Sequence, residues 1–195
     1  MARKAKLIRK TRETDISIKI DLDGAGNGKI STSVAFIDHM LNLFARHGLI
    51  DLTIAAKGDT HIDDHHLVED IGICLGSAVK KALGDKKGIA RYGSATVPMD
   101  ESLCSVVMDI SGRPYLIYNV ELKGKKTDKF DFALIKEFFK SFSDNSGITL
   151  HINLIYGRNN HHMAEAIFKA FALALRNAVT VHGRIEGILS TKGSL

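Results

Sequence analysis

The chain has 195 residues, 45% of them hydrophobic and 25% charged, with a formal net charge of +5 when histidine is neutral. That length allows one ordinary domain or two compact halves with a sufficient core. No apolar run approaches the ~20 residues that cross a bilayer, the basic start MARKAKLIRK lacks the apolar stretch of a secretory signal, and the lysines and arginines are spread rather than gathered into a nucleic-acid stripe. The expectation is a cytoplasmic protein with no membrane and no nucleic-acid partner.

From Ile16 to Ile20 apolar and polar residues alternate, Asp23 to Gly28 forms a Gly-rich turn, and alternation resumes near Ile30, which predicts a β-hairpin. Phe36 to His47 places Ile37, Met40, Leu41 and Phe44 at helical spacing, with Gly48 as the C-cap. A strand follows over Leu52 to Ala56. After the turn at Gly58-Asp59, residues 64 to 83 carry Leu67, Val68, Ile71, Leu75, Val79 and Leu83 at helical periods, and Gly84 ends the helix. The second half repeats the order. Strands are expected around Ser94 to Pro98, Leu103 to Ile110 and Leu116 to Leu122, then a helix from Ala133 to Ser143, a strand from Ile148 to Ile155 and a helix from His161 to Val179. Cys74 and Cys104 lie in separate apolar stretches and read as buried reduced thiols.

This order is a duplication. His65-His66-x-x-Glu69 recurs as His161-His162-x-x-Glu165, every position displaced by 96, and Asp38 to Leu49 lies opposite Lys136 to Ile148, which sets His39 against Glu137. The predicted fold is α+β, with internally duplicated β-β-α-β-α halves of pseudo-two-fold symmetry. The halves, about 1–90 and 91–195, make one catalytic domain.

The paired motifs predict metal binding. On a helix, positions i and i+4 share a side whereas adjacent residues diverge by about 100°. His65 and Glu69 can therefore chelate one ion while His66 faces another, and His161, Glu165 and His162 repeat the arrangement. Pseudo-symmetry then suggests one site of His65, Glu69, His162 and Glu137 and another of His161, Glu165, His66 and His39. Imidazole and carboxylate without thiolate fit manganese, iron, cobalt or catalytic zinc, and octahedral coordination favours manganese. The run Asp59, His61, Asp63 and Asp64 could be a metal rim, but its acids read more readily as helix N-terminal caps that complement the dipole. His47 and His151 read as surface or hydrogen-bonded histidines. Arg91, Arg113, Lys169 and Ser190-Thr191-Lys192-Gly193 are candidates for phosphate.

Taken together, Arg12-Glu-Thr14, Phe36-Ile-Asp-His-Met40, Asp63 to Asp70, Pro98-Met-Asp-Glu101, Ser111-Gly-Arg-Pro-Tyr115, Asn160 to Glu165, Phe168-Lys-Ala-Phe171 and Ser190-Thr-Lys-Gly193 make the chain similar to the imidazoleglycerol-phosphate dehydratase family over nearly its whole length. The resemblance implies dehydration of D-erythro-imidazoleglycerol phosphate to imidazole acetol phosphate plus water in L-histidine biosynthesis, with two Mn(II) ions per active site. It implies four-stranded sheets packed on helices, similar to the ribosomal-protein domain 2-like fold, and a homo-oligomeric 24-mer built from trimers with shared active sites. It gives the same two ligand sets: His39, His66, His161 and Glu165 for one ion, and His65, Glu69, Glu137 and His162 for the other. Many members carry His where this chain has Glu137.

Substrate contacts carried over by the resemblance fall on Glu13, the segment His39 to His47, Arg91, Arg113, Lys169 and Thr191 to Gly193. The metal-facing His65, His66, Glu69, His161 and His162 join them. Arg113, Lys169 and Lys192 are expected at the phosphate, Glu13 at the acid/base step, and Glu69 and Glu165 as further catalytic carboxylates. The alternative from the same residues is a metal-dependent phosphate-ester hydrolase, since two close ions can activate water.

Overall fold

The computed structural model describes residues 2–122 and 130–195. In chain order the elements are β1 (Lys4–Lys10), β2 (Thr14–Asp21), β3 (Gly28–Ser31), α1 (Ala35–Gly48), β4 (Asp51–Gly58) and α2 (His65–Leu83). The second half continues with β5 (Tyr92–Met99), β6 (Ser102–Asp109), β7 (Tyr115–Asn119), α3 (Leu134–Ser146), β8 (Thr149–Tyr156) and α4 (Asn160–Val179). The expected β-β-α-β-α order is present in both halves, each preceded by one further strand, β1 or β5, that brings its sheet to four; of these two, β1 was not among the predicted strands.

The sheets have orders β1-β2-β4-β3 and β5-β6-β8-β7, so the duplication extends to strand pairing. In the first, Ile16, Ile18 and Ile20 of β2 and Leu52, Ile54 and Ala56 of β4 alternate into the core. The predicted hairpin is corrected here. β2 and β3 do not pair: β2 lies antiparallel to β4 on one side, and β3 lies parallel to it on the other. The Gly-rich segment is a crossover start rather than a tight turn, gathered by Asp51, whose Oδ1 accepts hydrogen bonds from the backbone amides of Ala25 (3.0 Å) and Asn27 (2.9 Å). The true hairpin joins β1 to β2, with Lys10 opposite Asp15. β1 escapes a hydrophobic reading because its inward positions are only half-buried and its outward ones are mainly lysine.

Gly48 is the last residue of α1 instead of its cap. The left-handed residue is Leu49 (φ 53°, ψ 38°), where the second half uses Gly147 (φ 72°). β7 ends at Asn119, short of the expected Leu122.

The halves meet through their helices. α2 packs on α3 and α1 on α4, while α2 also covers β1 and β2 and α4 covers β5 and β6. Phe44 of α1 stacks on Phe171 of α4 with ring centroids 5.2 Å apart, and Phe138 and Phe139 of α3 pack on Phe168. Gly72 and Gly76, one turn apart, let α2 and α3 approach at backbone distance: a Cβ on either would stand 2.5 Å from the carbonyl oxygen of Phe138 or Phe142. One continuous core holds residues of both halves. Cys74 and Cys104 are buried free thiols, and burial pushes both pKa values up to about 12.

Candidate metal centre

Each His-His-x-x-Glu motif opens a helix whose start is fixed by a polar side chain two residues earlier. Asp63 Oδ1 accepts from the His65 amide (2.8 Å), and Asn159 Oδ1 accepts from the His161 amide (2.9 Å). The acids before α2 thus divide: Asp63 holds the helix start, as expected, and Asp59 serves a histidine.

The α4 motif makes a compact ligand group. His161 Nε2 lies 3.0 Å from Glu165 Oε1, and His39 Nε2, projecting from α1, lies 3.1 Å from the same oxygen. The α1·α4 contact that carries the Phe44–Phe171 stack is what brings these residues together across the halves. Glu165 is only 8% exposed. Burial raises its pKa, but hydrogen bonds from Lys169, His39 and His161 outweigh that and bring it down to about 2, so it is a carboxylate. Two imidazole nitrogens and one ionised oxygen, all within 4.8 Å of one another, form a donor set suited to a divalent ion of borderline hardness. His39 and His161 also border a cleft of about 990 Å³ lined by Phe36, Phe132, Arg158 and Asn159.

The α2 motif is less complete. His65 Nε2 and Glu69 Oε2 are 3.7 Å apart on the same helix side, as the i, i+4 argument requires. Glu137 stands on α3 one residue before Phe138, whose carbonyl touches Gly72 one turn along α2 from Glu69. Its side chain lines a cavity of about 260 Å³ with Tyr118, Phe132 and Lys136. It joins no ligand cluster among the described residues.

The second histidine of each motif diverges and is held by a carboxylate through Nδ1. His66 Nδ1 is 3.0 Å from Asp59 Oδ2 and 4.0 Å from Glu13 Oε2, and His162 Nδ1 is 2.7 Å from Glu101 Oε2. Hydrogen bonding to these acids raises the pKa of both histidines, and His162 holds the Glu101 carboxyl well below its usual range. A carboxylate on Nδ1 fixes the tautomer and presents Nε2, which is how ligand histidines are commonly oriented. Neither histidine lies in its expected group of four within the chain: His66 clusters with Glu13 and Asp59 instead.

A family model described as imidazoleglycerol-phosphate dehydratase matches residues 32–175, which contain both motifs, His39 and Glu137. The chain belongs to the imidazoleglycerol-phosphate dehydratase family. It is 64% identical over 194 residues to the imidazoleglycerol-phosphate dehydratase of Syntrophus aciditrophicus, covering 99% of this chain and 98% of that one, and 59% identical to that of Geobacter metallireducens over the full length of both. The crystal structure of the Staphylococcus aureus imidazoleglycerol-phosphate dehydratase superposes with a TM-score of 0.83 at 44% identity, over 92% of this chain and 99% of that one. The activity is that of a hydro-lyase, dehydration of imidazoleglycerol phosphate in histidine biosynthesis, and the hydrolase alternative falls.

Within this dehydratase the expected phosphate residues separate into two places. Lys169 belongs to the α4 group: its Nζ donates to Glu165 Oε2 (2.6 Å) and lies 3.1 Å from Met99 Sδ, at the far end of β5. Arg91 sits at the opposite end of that strand, with Nε and Nη2 on the two oxygens of Asp109 (2.7 and 3.1 Å) and Nη1 on the Leu189 carbonyl (2.9 Å). Arg113 is exposed, 3.9 Å from Asp109, and the tail holding Thr191, Lys192 and Gly193 returns so that Leu195 lies against Gly112. His47, two turns after His39, is pulled down in pKa by burial and by the charges of Lys169, Arg176 and Arg46. His151 is exposed on β8.

Sequence reasoning missed Glu101 as a partner of His162 and gave Asp59 only a helix-end role. The signal lay in the repeated motif: an unpaired histidine adjacent to a chelating pair needs its own acid.

Proposed function

We propose that two Mn(II) ions serve each active site, one held by His39, His66, His161 and Glu165 and the other by His65, Glu69, Glu137 and His162, with each quartet assembled from neighbouring chains. The observation that carries this reading is the displacement of His66 and His162 from their own chain's ligand groups, each locked by an acid on Nδ1. A 24-mer built from trimers in the cytoplasm, each chain acting as a single catalytic domain over residues 1–195, is the assembly that would close such half-sites. No helix among the described residues is long and apolar enough to cross a membrane.

The substrate carbon that loses its proton has no neighbouring carbonyl to accept the electron pair. A divalent ion held by these histidines and glutamates would supply positive charge that stabilises the negative charge developing on the substrate as its C–H and C–O bonds break. Glu13 moves the proton. Its carboxylate lies beside His66, is 57% exposed and is drawn upon by no hydrogen bond among the described residues, so it is available to substrate. Glu165 and Glu69 would hold the ions, and Lys169 pairs with Glu165. Arg113, Lys192 and Lys169 meet the phosphate from two chains, with Arg91 fixing the tail that carries Thr191 to Gly193. The reading predicts that Glu13→Gln lowers kcat by roughly 10²- to 10⁴-fold with manganese content unchanged. Near-normal turnover in that variant would remove Glu13 from the mechanism.

A further inference from the structure

Asp70, which directly follows Glu69, is a buried carboxylate with both oxygens engaged. Oδ2 accepts from Thr14 Oγ1, and Oδ1 accepts from Arg9 Nε at 3.0 Å. Thr14 is itself buried, and its hydroxyl meets Thr11 Oγ1 at 3.2 Å. That Thr11 oxygen accepts from the backbone amides of Glu13 (3.1 Å) and Thr14 (2.9 Å), closing the β1–β2 turn on which Glu13 rides.

The duplication supplies an internal control. β2 and β6 correspond as Thr14–Asp21 and Ser102–Asp109, which places Glu101 opposite Glu13, Ser102 opposite Thr14 and Val97 opposite Arg9; the helix register places Ala166 opposite Asp70. The second half folds the same corner with no ion at those three positions, where Lys169 of α4 instead reaches Met99 Sδ (3.1 Å), so the fold does not require the Arg9–Asp70 pair, and burying a carboxylate is costly. The two glutamates also differ in how they are held. Glu101 is gripped directly by His162 and by the amides of Arg158 (3.2 Å) and Asn159 (2.8 Å). Glu13 has no such grip, so its place is set through its backbone.

We infer that Arg9, Thr14 and Asp70 are positioning residues that fix the turn carrying Glu13 and so aim its carboxylate at the substrate. The inference rests on the reading of Glu13 as the acid/base group. Thr14→Val keeps the shape and removes the hydroxyl; it is expected to cut kcat about a hundredfold, the scale of a small misplacement of a reacting group, with KM and bound manganese unchanged. Thr14→Ser should restore turnover, and Thr14→Val should cost nothing further in a Glu13→Gln background. Wild-type kcat in Thr14→Val beside a dead Glu13→Gln would overturn the inference alone, as would an equal loss in both backgrounds or a loss of bound manganese. Normal turnover in Glu13→Gln would overturn the acid/base reading, and the inference with it. The triple change Arg9→Val, Thr14→Ser, Asp70→Ala installs the residues of the second half; it should fold and lose turnover likewise, and full turnover there would also overturn the inference.

Discussion

Adjacent histidines at a helix start cannot share an ion, and their separate fates are the plainest chemical feature of this chain. His65 and His161 keep to their glutamates, while His66 and His162 turn to Asp59 and Glu101. The i, i+4 pairs and the divergence of the second histidine were legible because they follow from helical geometry and a repeat in register. The acids on those histidines were not, because they come from unlike places: Asp59 follows β4, whereas Glu101 is in the β5–β6 turn. If Glu101 orients His162 for a metal, Glu101→Ala should weaken manganese binding at the ion that His162 serves by about 10- to 100-fold, the usual effect of losing such a partner. Equilibrium metal titration checks this, and unchanged affinity at both ions would reduce Glu101 to a support for the start of α4.

At the scale of elements, periodicity located the four helices well because each buries a stripe of Leu, Ile, Val and Phe, whereas strand pairing depended on contacts far apart in sequence. β1 was missed for its lysine-rich outer face, and the hairpin was misassigned because the Gly-rich segment after β2 leads past β4 instead of back along β2. The close α2·α3 contact was equally hidden, since Gly72 and Gly76 look like ordinary tolerated helical glycines until the facing carbonyls are known. It sets the separation between the helix bearing His65 and Glu69 and the helix bearing Glu137. A methyl group on Gly72 would press on the Phe138 backbone, which cannot swing aside as a side chain can. Gly72→Ala is therefore expected to destabilise the protein by about 1–3 kcal/mol, as overpacking does. It should lower the thermal midpoint and, if Glu137 joins His65 and Glu69 on one ion as proposed, weaken metal binding at that ion first.

At the scale of the molecule, duplication gives two halves that share topology, and their helices bring His39 to His161 and Glu165 across the divide. The family, and the grouping of His39 with His161 and Glu165, were legible in the sequence. Which chain supplies each ligand was not, because the symmetry that pairs one motif with the other is blind to distance. The incomplete groups within one chain argue that the quartets close between copies, and symmetric assembly would repeat that closure at every site. Two chains, each disabled on a different side of such a site, should then rescue one another. Co-expressed His66→Ala and Glu165→Gln chains, each inactive alone, are predicted to form mixed assemblies with about a quarter of the normal activity, the share of sites that random pairing leaves intact. Mixed assemblies with no more activity than either parent would contradict the shared metal centre.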